Sequence, residues 1–174
     1  MGFMSPDAKA SAAALARLVA EIAADREALA ARIADAREAA RRIEATPTDP
    51  GALALAAVSL HAWYTGVETI FERVARELDG AVPAGERWHR ALLSQMTAEI
   101  PGVRPSIIAP PLATELGALL AFRHFFRHAY AIAFDAERLK ADLTRLFDVC
   151  DPVNAGLDAL TGFIHGTMAE LARS

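Results

Sequence analysis

Helix-capping residues and prolines recur along this sequence at the expected starts of helices, and they constrain the fold more than any other feature. Serine and aspartate side chains cap the first turn of a helix, and proline suits the first helical position because its missing N–H needs no partner. No stretch alternates apolar and polar residues in the way that marks a strand, so we predict an all-α chain. The start signals are Ser5-Pro6, Asp49-Pro50, Pro110-Pro111 and Asp135.

The spacing of these signals predicts about five helices joined by short turns. We expect residues 1–174 to form a single domain, an antiparallel up-down helical bundle with a long N-terminal helix. Asp151-Pro152 is predicted to interrupt the fifth helix, with a last helical piece beyond it. Four of the expected helices cover about residues 6–46, 50–79, 84–99 and 136–149. The fourth in chain order opens at Pro110-Pro111 and reaches the segment that starts at Arg123 near its end.

The first predicted helix carries a seam of apolar residues at coiled-coil spacing. One row recurs every seven residues, and a second row follows four residues later. This seam is wider than one partner helix needs, so amphipathicity alone suggests a homodimer. The rows are Leu15, Ile22, Leu29, Ala36 and Ile43, and then Val19, Arg26, Ile33 and Ala40.

Composition narrows the functional classes. Hydrophobic residues make up 53% of the 174 residues and charged residues 23%, which excludes wholesale disorder. A net charge of −4 argues against broad, sequence-blind nucleic-acid binding, and no DNA partner is expected. The single cysteine, Cys150, allows no internal disulfide, and we find neither a signal peptide nor a membrane span. We therefore expect a cytoplasmic protein that does not bind membranes.

The segment from Arg123 to Tyr130 concentrates side chains that suit phosphodiester chemistry. His124 and His128 are imidazoles that move protons near neutral pH, and Arg123 and Arg127 are guanidinium groups that clamp phosphate. The sequence from residue 116 to residue 134 contains no acidic residue, so we expect a local basic site. Arg123 and His128 are five residues apart, which is roughly 140° around a helix, so they share an edge.

The pattern Arg123-x4-His128-x-Tyr130 resembles the R-x4-H-x-Y motif of HepT-like ribonuclease toxins in the HEPN superfamily. The resemblance covers a core of about residues 50–150, while the N-terminal helix at about 6–46 has no diagnostic motif. Further similar stretches are residues 61–68, 88–93 and 101–105.

The resemblance implies a metal-independent endoribonuclease that needs no cofactor. In such proteins two motifs meet across a homodimer interface, and the ribose 2′-OH attacks the adjacent phosphate of an RNA substrate. By resemblance, His128 handles a proton, Arg123 holds the phosphate and His124 is a supporting polar residue. HepT-like toxins pair with a minimal nucleotidyltransferase antitoxin that transfers AMP to the tyrosine of the motif, which Tyr130 matches. Arg127 has no assigned family role, although its charge would help attract RNA.

Two other functional classes stay open from the residues alone. The first is a non-catalytic HEPN-type module that binds nucleotide or docks onto a nucleotidyltransferase. The second is a metal-dependent bundle enzyme, because Glu86-x-x-His89 has the spacing of bundle carboxylate sites, although such sites need that motif twice. We interpret His61 as a core or interface histidine with satisfied hydrogen bonds, and expect His89 and His165 on solvated faces.

Overall fold

The described part of the chain is entirely helical in its regular structure, as predicted. A computed structural model describes residues 5–128 and 134–173, apart from the side chain of His128. Over these residues it contains no strand, and no helix there has the length and apolarity needed to cross a bilayer. The helices are α1 Pro6–Ala45, α2 Pro50–Glu77, α3 Trp88–Thr97, α4 Pro110–His128 and α5 Ala136–Leu171.

The predicted caps form, and ion pairs show that α1 and α2 are antiparallel. Asp49 accepts hydrogen bonds from the first-turn N–H groups of α2 and also from Arg42 near the end of α1. At the opposite end of the pair, Arg73 of α2 contacts Glu21 and Asp25 of α1, each at 2.9 Å. The four-residue link between these helices therefore makes a tight helical hairpin.

The last helix returns along α1 and completes the bundle. Arg26 in the middle of α1 lies 2.6 Å from Asp158 in the second half of α5, whereas Glu44 at the end of α1 lies 3.7 Å from Lys140 at the start of α5. Contacts between α4 and α5 run in the same antiparallel order. The predicted up-down arrangement is therefore confirmed, with the short α3 packed against α2 and α4.

The apolar seam of α1 is covered within the chain. Ile22, Leu29, Ala36 and Ile43 are buried, and α1 packs on both α2 and α5. The second row is partly buried against the same core, except for Arg26, which pairs with Asp158. The seam is wider than one partner helix covers, as predicted, and the return of α5 supplies the second partner within the chain. A second chain is therefore not needed to bury it, and the homodimer stays a prediction.

The prediction that Asp151-Pro152 ends the fifth helix was also wrong. Pro152 lies inside α5, which continues from Ala136 to Leu171. Proline removes one backbone hydrogen bond and strains the preceding turn. The helix continues because Val149, Val153 and Leu157 stay buried on one face, so packing on the bundle core offsets the local cost.

The segment between α3 and α4 is held by a buried arginine. The Arg104 side chain is fully enclosed and makes two hydrogen bonds to Asp79, at 2.6 and 2.7 Å. Its other hydrogen bonds go to the backbone carbonyls of Gln95, Ala98 and Pro105. One guanidinium thus satisfies three backbone carbonyls, in addition to the backbone hydrogen bonds that the segment makes itself. The predicted third helix, at about 84–99, is shorter in the structure and starts only at Trp88.

A close approach between this segment and α5 requires glycine at position 156. A Cβ at Gly156 would overlap the backbone carbonyl of Ile107, whereas a Cβ at Gly162 of the same helix would meet no atom within 4 Å. We expect Gly156→Ala to lower the free energy of unfolding by about 1–3 kcal/mol, because a backbone oxygen cannot move aside cheaply. Urea unfolding measures the change.

The matched control is Gly162→Ala, which makes the same substitution on the same helix without the overlap. Alanine is the better helix former by about 1 kcal/mol, so this variant is expected to be as stable as the wild type or more stable. Equal effects of the two substitutions would contradict the packing that brings Ile107 onto α5.

Candidate active site

One face of α2 carries polar side chains toward α4. His61, Thr65 and Glu68 follow one another at intervals of four and three residues, which places them on the same side of the helix. Glu68 is buried, with 4% of its side chain exposed. A buried carboxylate requires a charged or hydrogen-bonding partner, because the desolvation cost is otherwise large. The first partner comes from the R-x4-H segment.

Glu68 joins Arg123 of α4 to His89 of α3. Its Oε2 lies 3.1 Å from Nη2 of Arg123, and its Oε1 lies 2.5 Å from Nδ1 of His89. The Nε of Arg123 donates to the Thr65 hydroxyl at 3.4 Å. Three helices therefore contribute to one enclosed polar cluster, which we call the Arg123 cluster: Thr65, Glu68, His89 and Arg123.

His89 is a member of this cluster and not a surface residue. Its side chain is 11% exposed, so the prediction of a solvated face was wrong. The Nε2 of His89 lies 3.5 Å from Nη1 of Arg123, which can only donate. The tautomer that suits both neighbours carries its proton on Nδ1, donates it to Glu68, and leaves Nε2 as an acceptor.

Arg123 keeps binding capacity despite its burial. An arginine side chain has five N–H donors, and the contacts to Thr65, Glu68 and His89 engage three of them among the described residues. The other two N–H donors have no partner among the described residues. The sequence around Arg123 contains no acidic residue, but Glu68 comes from a different helix and balances the guanidinium charge.

A cavity of about 380 Å³ opens beside the cluster, between the start of α3 and the middle of α4. His89 and His124 line it, and their rings are 5.1 Å apart in an edge-to-face arrangement. Burial lowers the pKa of His124, and the neighbouring His89 and Arg123 act in the same direction. These effects favour the neutral form of the His124 imidazole. The remaining lining residues are Glu86, Arg87, Arg90, Gly117, Leu120 and Ala121.

His61 lies next to this cluster but differs from the predicted core histidine. Its ring packs against Phe126 with centroids 4.9 Å apart, and its buried Nδ1 has no hydrogen-bond partner among the described residues. Burial lowers the pKa of His61, and the charges of Arg123 and Arg127 lower it further. The prediction of a satisfied histidine was therefore wrong for this nitrogen.

The remaining motif residues are placed less completely. Arg127 is exposed on α4, where its charge faces solvent. The backbone of His128 forms the last residue of α4, but its side chain lies outside the described part of the structure. Tyr130 lies outside the described residues altogether. The pairing of Arg123 with His128 thus stays a prediction from the motif.

The described residues give the metal alternative little support. Over 5–128 and 134–173, no three His, Cys, Asp or Glu residues are grouped as metal ligands would be. Glu86 is exposed in the turn before α3, and the Nδ1 of His89 is already engaged by Glu68. The Glu86-x-x-His89 spacing therefore does not produce a shared site in the structure.

Fold and site together define a HEPN-type helical domain, in which an arginine of the R-x4-H motif is held in a bundle of antiparallel helices. A family profile described as HepT-like protein matches residues 54–164, and the chain belongs to that family. No curated protein and no solved structure matches the chain significantly. The matched range includes all four residues of the Arg123 cluster.

Proposed function

We propose that this protein is a metal-independent endoribonuclease of a toxin–antitoxin system. The observation that carries the proposal is the orientation of Arg123 by Glu68 in a member of the HepT-like family. A guanidinium held in this way is preorganised for the charge that develops on a phosphate during cleavage. The expected reaction is attack of the ribose 2′-OH, which leaves a 2′,3′-cyclic phosphate and a 5′-OH and excludes DNA as a substrate.

His128 is the proposed proton-transfer residue of the motif, acting on the 2′-OH or on the leaving oxygen. It follows Arg123 by five residues, so one helix presents the two on a shared edge rather than on a single face. A homodimer in which two such edges meet would complete the site. The support for a dimer is now the family motif alone, because α1 covers its apolar seam within the chain.

We further propose that a minimal nucleotidyltransferase antitoxin neutralises the enzyme by transferring AMP to Tyr130. The added phosphate would bring negative charge close to His128, two residues away in sequence. That charge would repel RNA at the site where Arg123 is to bind phosphate. A mass measurement of the protein, coexpressed with the product of the neighbouring gene, reports both the partnership and the modification.

The decisive test is RNA cleavage in the presence of EDTA. We expect the purified protein to cleave RNA with EDTA present and to leave 2′,3′-cyclic phosphate ends. His128→Ala is expected to lower the rate by about 100-fold or more, the usual contribution of a general acid or base. His165→Ala is the matched control, because His165 is exposed on α5, and it should retain wild-type activity.

Three other results of this assay would each contradict the proposal in a different way. An absence of cleavage together with tight binding to a nucleotidyltransferase would support a docking module. Equal cleavage by wild type and His128→Ala would contradict the assignment of the motif. Cleavage that EDTA abolishes and added metal restores would support a metal-dependent enzyme instead.

A further inference from the structure

His89 and Glu68 lie outside the R-x4-H motif, and the proposed cleavage has so far given them no role. Their contact is short and enclosed, at 2.5 Å with side-chain exposures of 11% and 4%. A carboxylate that accepts the Nδ1 proton of a histidine fixes the tautomer and stabilises the imidazolium ion formed when Nε2 takes a proton. This arrangement is suited to a general base.

We propose that His89 is the base that removes the 2′-OH proton during RNA cleavage, with Glu68 as its positioning residue. The inference rests on the proposed ribonuclease function. Nε2 of His89 lies 3.5 Å from Nη1 of Arg123, so the base and the phosphate-binding group are adjacent. In RNA the 2′-OH is likewise adjacent to the phosphate that it attacks.

The substrate can reach His89 through the cavity beside the Arg123 cluster. Its volume of about 380 Å³ lies within the usual range of small-molecule sites, and it combines imidazoles with the apolar surfaces of Gly117, Leu120 and Ala121. The contact between His89 and Arg123 is long for a hydrogen bond, so a ribose hydroxyl can replace it. A ribose entering here would approach His89, whose Nε2 lies 3.5 Å from Nη1 of Arg123.

The proton balance closes without a cofactor. Nε2 of neutral His89 takes the proton of the 2′-OH as the 2′-oxygen bonds to phosphorus. The bond between phosphorus and the 5′-oxygen breaks, and protonated His128 gives its proton to that oxygen. His89 ends protonated and His128 neutral, and exchange with water restores both. Arg123 stabilises the charge on the phosphate oxygens throughout.

The first test is His89→Asn, assayed on RNA in EDTA. The asparagine amide can still donate to Glu68 but cannot take a proton, so the fold is kept while the base is removed. We expect kcat/KM to fall by about 100-fold or more, with helical content and Tm close to the wild type. A loss smaller than about tenfold, in a preparation whose wild type is active, would overturn this inference and leave the ribonuclease function standing. A wild type that cleaves no RNA would overturn both.

A second test does not depend on how the His89 variant folds. The substrate for this test is uridine 3′-(4-nitrophenyl phosphate). Its leaving group, 4-nitrophenolate, departs without taking up a proton, so loss of the general acid slows cleavage of this ester less than cleavage of RNA. The His128→Ala variant lacks the proposed acid but keeps His89, the proposed base. We therefore expect it to lose much more activity on RNA, which needs the acid, than on the ester, which does not. Equal losses on both substrates would make His128 the base and overturn the role of His89.

Discussion

Replacement of Arg123 by lysine is expected to lower kcat/KM for RNA cleavage by about 100- to 1000-fold without unfolding the protein. Lysine keeps a positive charge near Glu68, so the buried carboxylate does not lose its counter-charge. A single ammonium cannot, however, contact Thr65, Glu68 and His89 together and still present two parallel donors to a phosphate. Initial rates in EDTA, together with thermal unfolding, measure the two effects separately.

Arg145→Lys is the matched control for this prediction. Arg145 also makes ion pairs, with Glu115 and Asp142, but lies outside the Arg123 cluster. We expect this variant to retain wild-type kcat/KM. Full activity of Arg123→Lys would show that a single positive charge is enough for catalysis. It would contradict the prediction that Arg123 binds the phosphate through two parallel N–H donors.

The second large effect concerns stability. Arg104→Met is expected to lower the free energy of unfolding by about 3–5 kcal/mol, because it leaves Asp79 buried without its counter-charge. It also removes the donors to the carbonyl groups of Gln95, Ala98 and Pro105. Methionine fills much of the arginine volume, so the loss reports lost hydrogen bonds more than a cavity. Urea unfolding followed by circular dichroism measures it.

Arg41→Met is the matched control, because it makes the same substitution at an exposed arginine. Arg41 is 76% exposed and pairs only with the neighbouring Glu38 among the described residues, so the change should stay within about 0.5 kcal/mol. In addition, Asp79→Asn combined with Arg104→Met should destabilise by less than the sum of the two single changes. Strict additivity would contradict a direct interaction between Asp79 and Arg104.

The helices were predictable where local chemistry sets their ends. Ser5, Asp49 and Asp135 cap their own first turns through hydrogen bonds to residues nearby in sequence. Pro152 misled the prediction because the local cost of a proline in a helix is visible in sequence, whereas the burial of its neighbours in the bundle is not. The width of the apolar seam of α1 was visible in the sequence, but its second partner within the chain was not, since α5 begins far along the chain.

Arg123 was predictable as a site candidate because it belongs to a motif on one helix. Its partners were not, since Thr65 lies 58 residues and His89 34 residues earlier in the chain. A local count of acidic residues around Arg123 therefore missed Glu68. The polar face of α2 offered one usable signal: a carboxylate in line with His61 and Thr65, on a helix that is otherwise largely buried.

The distribution of the Arg123 cluster over α2, α3 and α4 has a consequence for the chain during its synthesis. Thr65 and Glu68 leave the ribosome first, and Arg123 follows 58 residues after Thr65. A nascent chain that has not yet produced α4 contains the carboxylate and the imidazole but no guanidinium to join them. A ribosome-bound fragment that ends before α4 therefore cannot carry the complete cluster, and any activity that needs this cluster would arise only once most of the polypeptide has been translated.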